Sequence, residues 1–116
     1  MPKTRTPQPH HAEATAEKLQ ALCDWLHRTA KAHYDVHLTN LTAPTFRFTD
    51  GPKNIKILVQ ENGKDRSVWG FVERSSGCIM RAAGYKAPDP ARHERGNIHL
   101  PDGWSNEINY IGPNYR

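Results

Sequence analysis

Cysteine is scarce in this chain of 116 residues: Cys23 and Cys78 are the whole supply. They stand too far apart for a CxxC metal or redox motif, and two thiols cannot make the disulfide-dense scaffold of a small secreted domain. Both fit small buried thiols in a reduced chain. Long apolar runs are missing as well. None approaches the roughly 20 residues that a membrane-spanning helix requires. The opening MPKTRTPQPHH is basic and proline-rich, which excludes an apolar secretory segment there. No GxxxxGK[ST] or GxGxxG glycine loop occurs, and no HExxH. The chain therefore lacks the usual signs of a phosphate cradle, a dinucleotide site or a zinc protease, and no cofactor is expected.

What is present suits one small domain. Hydrophobic residues make up 36% and charged residues 24%, a balance that can close a modest core and does not read as disorder. The net charge of +4 and pI of about 9.3 favour acidic partners.

Residues 1–9 hold three prolines and no large apolar side chain after Met1, and read as a loose basic arm. The remainder, 10–116, reads as a single α+β domain. From about His10 to His33, Leu19, Leu22, Cys23, Leu26 and Ala30 recur at spacings of three and four. This predicts a helix with one apolar stripe. Trp25 flanks the stripe, and Asp24 with Arg28 forms a favourable i,i+4 pair.

The period then falls to two. Phe46 and Phe48, then Ile55, Ile57 and Val59, then Val68 and Val72, and finally Ile79 mark four strands. The turn pairs Asp50-Gly51, Asn62-Gly63 and Ser76-Gly77 separate them. Asn-Gly predicts a type I′ hairpin, whose two central residues both take positive φ. The expectation is one N-terminal helix on a four-stranded antiparallel meander, with an irregular C-terminal cover. Strict alternation puts Val68 and Val72 on one face of the third strand, and Trp69 and Phe71 on the other. Apolar residues on both faces of the middle strands demand cover on both sides. One helix supplies one side, and the C-terminal third is the natural source of the other.

The candidate chemistry is sparse. Seven histidines are present, but His27, His33 and His37 do not share one helical face, and His10 and His11 lie in the arm. Ser75, Ser76 and Cys78 sit at a hairpin turn, with no nucleophile elbow and no base fixed beside them; His93-Glu94 is the nearest candidate in sequence. These patterns point away from an enzyme and away from a metal site. The basic residues carry more. Arg81, Lys86, Arg92 and Arg95 follow the fourth strand with Tyr85 among them, a set that would grip phosphates or acidic side chains and stack on a base. Lys53, Lys56, Lys64, Arg66 and Arg74 dot the hairpins. Tyr85, Pro88 and Ile98 are expected to anchor the segment on the sheet, while Lys86, Arg92 and Arg95 face outward.

The run RSVWGFVERSSGCIMRAAGYKAPDPARHERGNI, followed by the ending YIGPNYR, resembles small uncharacterised proteins of tailed bacteriophages. In those proteins a hairpin leads into a Lys-Ala-Pro segment and an Arg-Gly-Asn, here Lys86-Ala87-Pro88 and Arg95-Gly96-Asn97. The resemblance covers roughly residues 53–116. It departs at Gly77-Cys78, where an acidic residue is expected after the glycine, and at the inserted Asp89-Pro90-Ala91. It implies a phage origin, a place in the cytoplasm of an infected bacterial host and an accessory role. The reading that results is a non-catalytic protein that binds nucleic acid or a host or phage complex handling nucleic acid, as an anti-defence inhibitor would. A minor virion or assembly component is the alternative, and a small enzyme comes third.

Overall fold

In a computed structural model of the protein, the described residues are 12–84, 87, 88, 90, 96–99, 108, 109, 112 and 113. The helix α1 spans Ala16–His37. It begins where Thr15, in extended geometry, accepts a hydrogen bond from the backbone N–H of Lys18 at 3.2 Å. The sequence pattern placed this start near His10. Ala12–Ala14, the described residues before Thr15, are not helical: Ala12 N–H donates to the Ser76 carbonyl at 3.2 Å and Ala14 N–H to that of Arg74 at 2.7 Å. At the other end α1 runs one turn past His33, with Lys31 and Asp35 paired at 2.9 Å. Asp24 takes its hydrogen bond from Gln20 at 2.9 Å, one turn back, and not from Arg28 one turn on.

Seven strands follow among the described residues. β1 is Thr45–Thr49, β2 Asn54–Glu61, β3 Lys64–Glu73, β4 Cys78–Met80 and β5 Gly96–Asn97. These five form an antiparallel meander in the order β1-β2-β3-β4-β5. The predicted α+β meander is therefore present, with a fifth strand added at the far edge. Two residues long, with a glycine first, β5 carries no period that sequence reading can detect. A separate hairpin pairs β6, Ile108–Asn109, with β7, Gly112–Pro113.

Every member of the predicted helix stripe is buried. Leu19, Leu22, Cys23, Leu26 and Ala30 pack on Phe46, Ile55, Ile57, Trp69, Val72, Ile79 and Ile98, and the partly buried Trp25 and Phe48 close the margin. The membership of Trp69 corrects the alternation reading. The register steps from Ile57↔Gly70 to Leu58↔Val68, so Trp69 is the extra residue of a β-bulge. The bulge turns its ring to the helix side, beside Ile57 and Val72, and leaves Val68 opposite Leu58 on the other face.

On that second face Leu58, Phe71 and Met80 are also buried, although none belongs to the helix-side cluster. Among the described residues beyond Met80, Pro88 is buried and bridges Ala82, and β7 lies near β3.

The β2–β3 turn has the predicted geometry. Asn62 has φ 55° and Gly63 φ 78°, with Glu61 paired to Lys64. Gly51 is required for a different reason. A Cβ there would stand 2.3 Å from the carbonyl oxygen of Asn54, so the β1–β2 turn closes only with glycine.

Candidate functional site

The turn at residues 74–77, between β3 and β4, is where separate parts of the chain converge. Its first residue, Arg74, donates from Nε to the Gly51 carbonyl and from a guanidinium nitrogen to Asp50 Oδ1, both at 2.8 Å. Its backbone N–H donates to the Lys53 carbonyl at 2.9 Å. Arg74 thereby ties the β1–β2 turn to the β3–β4 turn. Next, the Ser76 hydroxyl donates to Glu73 Oε1 at 2.5 Å and accepts from the Cys78 N–H at 3.2 Å. That hydroxyl closes the turn and lies in its interior. Gly77, at φ 77°, donates to the Glu73 carbonyl at 2.8 Å.

Two residues from the far end of the connection complete the knot. Asn97 is fully buried; its amide donates to the Ser76 carbonyl at 3.0 Å and lies 3.8 Å from Cys78 Sγ, while its Oδ1 accepts from His99 N–H at 2.9 Å. A buried amide with donor and acceptor both engaged fixes geometry without a desolvation penalty. His99 then turns its Nε2 to the Ala12 carbonyl at 2.8 Å. A carbonyl only accepts, so Nε2 carries the proton. The imidazole lies over Gly77, where a Cβ would come within 2.6 Å of the ring.

This knot pins both ends of the connection 81–95. Its N-terminal end leaves β4 at Met80 and its C-terminal end returns at Gly96, paired with Ile79. The first half doubles back on itself, with Ala83 N–H donating to the Ala87 carbonyl at 3.0 Å and Ala82 bridging Pro88. Of the anchors expected from sequence, Pro88 and Ile98 are buried as proposed. Of the candidate binding residues, Arg81 is half-buried at the root of the connection, with its Nε withdrawn from solvent. Tyr85, Lys86, Arg92 and Arg95 lie outside the described residues, as do His93 and Glu94.

The hairpin cations divide differently. Arg47 holds Asp65 through two hydrogen bonds, Nε to Oδ1 at 2.9 Å and Nη2 to Oδ2 at 2.6 Å. Arg66 pairs with Glu61 at 3.1 Å, and Arg74 with Asp50. These arginines are tethers between strands and turns. The histidines of the helix are likewise occupied: His27 Nδ1 donates to the Pro44 carbonyl at 2.8 Å, and the rings of His33 and His37 lie tilted by 36° with centroids 4.8 Å apart. Among the described residues no three potential metal ligands converge, and no helix is long and apolar enough to cross a membrane. Both cysteines are buried thiols outside any disulfide, and burial beside Asp24 pushes the Cys23 thiol up to about 12.

Sequence reasoning missed Asn97, His99 and Gly77 as one unit. The available signal was Ser76-Gly77 followed much later by Gly96-Asn97, two small-polar pairs whose meeting depends on the β4–β5 pairing. No curated protein and no solved structure matches the chain. A family model described as a family of unknown function, DUF7717, matches residues 2–109, and the chain belongs to that family.

Proposed function

We propose that this protein is a non-catalytic, phage-type accessory protein that works by binding an acidic partner, nucleic acid in the first instance, through the connection 81–95. The observation that supports this reading is the division of the cations. Arg47, Arg66 and Arg74 are each paired with a carboxylate of the sheet or its turns. The connection carries Arg81, Lys86, Arg92 and Arg95 against Asp89 and Glu94 alone, an excess of positive charge in one segment. Charged loops on a rigid scaffold are where recognition concentrates.

The architecture gives such a segment a physical advantage. With β4 and β5 paired at its neck and the Ala82–Pro88 bridge within it, less conformational entropy is lost on binding than for a free tail. Arginine and lysine meet phosphate oxygens by charge-assisted hydrogen bonds, and Tyr85 offers a ring on which a base stacks.

Binding of a labelled DNA duplex and of a labelled single-stranded RNA, followed by fluorescence anisotropy, tests this. The wild type is expected to bind at least one of them, and Lys86→Gln/Arg92→Gln/Arg95→Gln to lose that binding with its thermal melt unchanged, because exposed charges add little to stability. A triple variant that unfolds makes these side chains tethers. One that folds and binds like the wild type clears the connection of recognition. A wild type that binds neither probe overturns nucleic acid as the direct partner and moves the reading to an acidic protein.

A further inference from the structure

β1 closes one end of the five-stranded sheet, and its one strand neighbour among the described residues is β2. An edge strand presents backbone N–H and C=O groups that template another strand, and proteins usually guard such edges with lysine, proline or a bulge. β1 has no lysine, proline or bulge, and its one charged side chain, Arg47, is held by Asp65. It pairs with β2 residue for residue from Thr45↔Gln60 to Thr49↔Lys56 without a register shift, and both bulges of the sheet lie between β2 and β3.

Its sequence, Thr45-Phe46-Arg47-Phe48-Thr49, reads the same in both directions. In an antiparallel pair of two copies centred on Arg47, Thr45 meets Thr49 of the second copy and Phe46 meets its Phe48. Every cross-strand neighbour is then matched in kind on both sides of the two-fold axis. A two-fold interface needs this self-complementarity, and a palindromic edge strand supplies it whichever of its residues direct their hydrogen bonds outward.

The faces agree with the pairing. Phe46 and Phe48 belong to the helix side, where Phe46 is 7% exposed and Phe48 is only partly buried. Joining two edges would bring the four rings together beneath the two helices and complete the cover of Phe48. The one element that opposes pairing is Arg47 against its own copy, since like charges directly opposite destabilise a sheet. Asp65 answers it. The carboxylate holds the guanidinium at 2.6 Å, so each arginine reaches the seam already partnered by a carboxylate of its own copy. At the sheet's other end, β5 is two residues long and too short to recruit a strand. Association through β1 therefore closes at two copies and does not propagate.

We propose that β1 is a homodimer interface, through which two copies of this chain join antiparallel about Arg47 into one continuous sheet. The proposal is independent of what the connection 81–95 binds.

Sedimentation equilibrium over a rising concentration series tests it, with two charge variants. Thr45→Lys/Thr49→Lys and Thr45→Glu/Thr49→Glu each place like charges opposite one another at both ends of the seam. Each is expected to weaken self-association by on the order of tenfold. An equimolar mixture of the two is expected to form the heterodimer at least as tightly as the wild type associates with itself, which also shows that both variants fold. A wild type that stays monomeric throughout overturns the proposal. So does a wild-type dimer that both variants retain unchanged, or a mixture that fails to associate.

Discussion

Arg47 on β1 and Asp65 on β3 reach each other across the end of β2, and Gln60 of β2 donates to the same carboxylate at 3.1 Å. One carboxylate thus ties three strands at the point where the register steps between Val59 and Gln60. The hydrogen bond from Arg47 is the chief reason that the Asp65 carboxyl is held below its ordinary value, with Gln60 adding to it.

The sign of the pH effect follows. A carboxylate whose pKa is lower folded than unfolded contributes stability above its unfolded pKa, and this is lost as pH falls through the folded one. Wild type and Asp65→Asn should therefore differ in melting temperature by a constant amount near neutral pH. The gap should close only below the ordinary carboxylate range. A gap that is the same at acid pH as at neutral pH would show that the Arg47 contact does not set this titration.

Burial of the helix stripe predicts the largest losses. Leu22 and Leu26 are 0% exposed, so Leu26→Ala should lower stability by about 2–5 kcal/mol, and Leu22→Asp by more, through an unpaired carboxylate in the core. Urea denaturation reads both. A midpoint unchanged in Leu22→Asp would contradict the packing of α1 on the sheet.

Two glycines with nearly equal φ should respond differently. Around Gly63 a Cβ would meet open space, so Gly63→Val pays only for the backbone conformation, about 1 kcal/mol or more. At Gly77 the same conformation is combined with the His99 ring at 2.6 Å. Gly77→Ala should cost more than Gly63→Ala, and part of its cost should disappear in a His99→Ala background. Additive effects in that double-mutant cycle would mean that the ring does not press on Gly77.

How far the sequence led can be judged from these same residues. Spacings of three and four located Leu19 to Ala30, and Asn62-Gly63 fixed a hairpin and its turn type, because both signals are local. Trp69 was placed on the wrong face because a bulge adds one residue to one strand and reverses every parity argument beyond it. The early start of the helix was misplaced for a related reason: Ala12 and Ala14 form backbone hydrogen bonds to Arg74 and Ser76, partners remote in sequence. For the candidate site, the buried anchors Pro88 and Ile98 were legible from their chemistry. The knot of Ser76, Asn97 and His99 was not, since it exists only once β5 has paired with β4.

The salt dependence of nucleic-acid binding tests the central claim most directly. Each phosphate neutralised on duplex DNA contributes about 0.9 to the slope of log K against log salt. If Lys86, Arg92 and Arg95 make those contacts, the Lys86→Gln/Arg92→Gln/Arg95→Gln variant should bind more weakly, with a slope shallower by up to about 2.7. A folded variant whose slope and affinity match the wild type would contradict the account, and would place the binding surface elsewhere on the molecule.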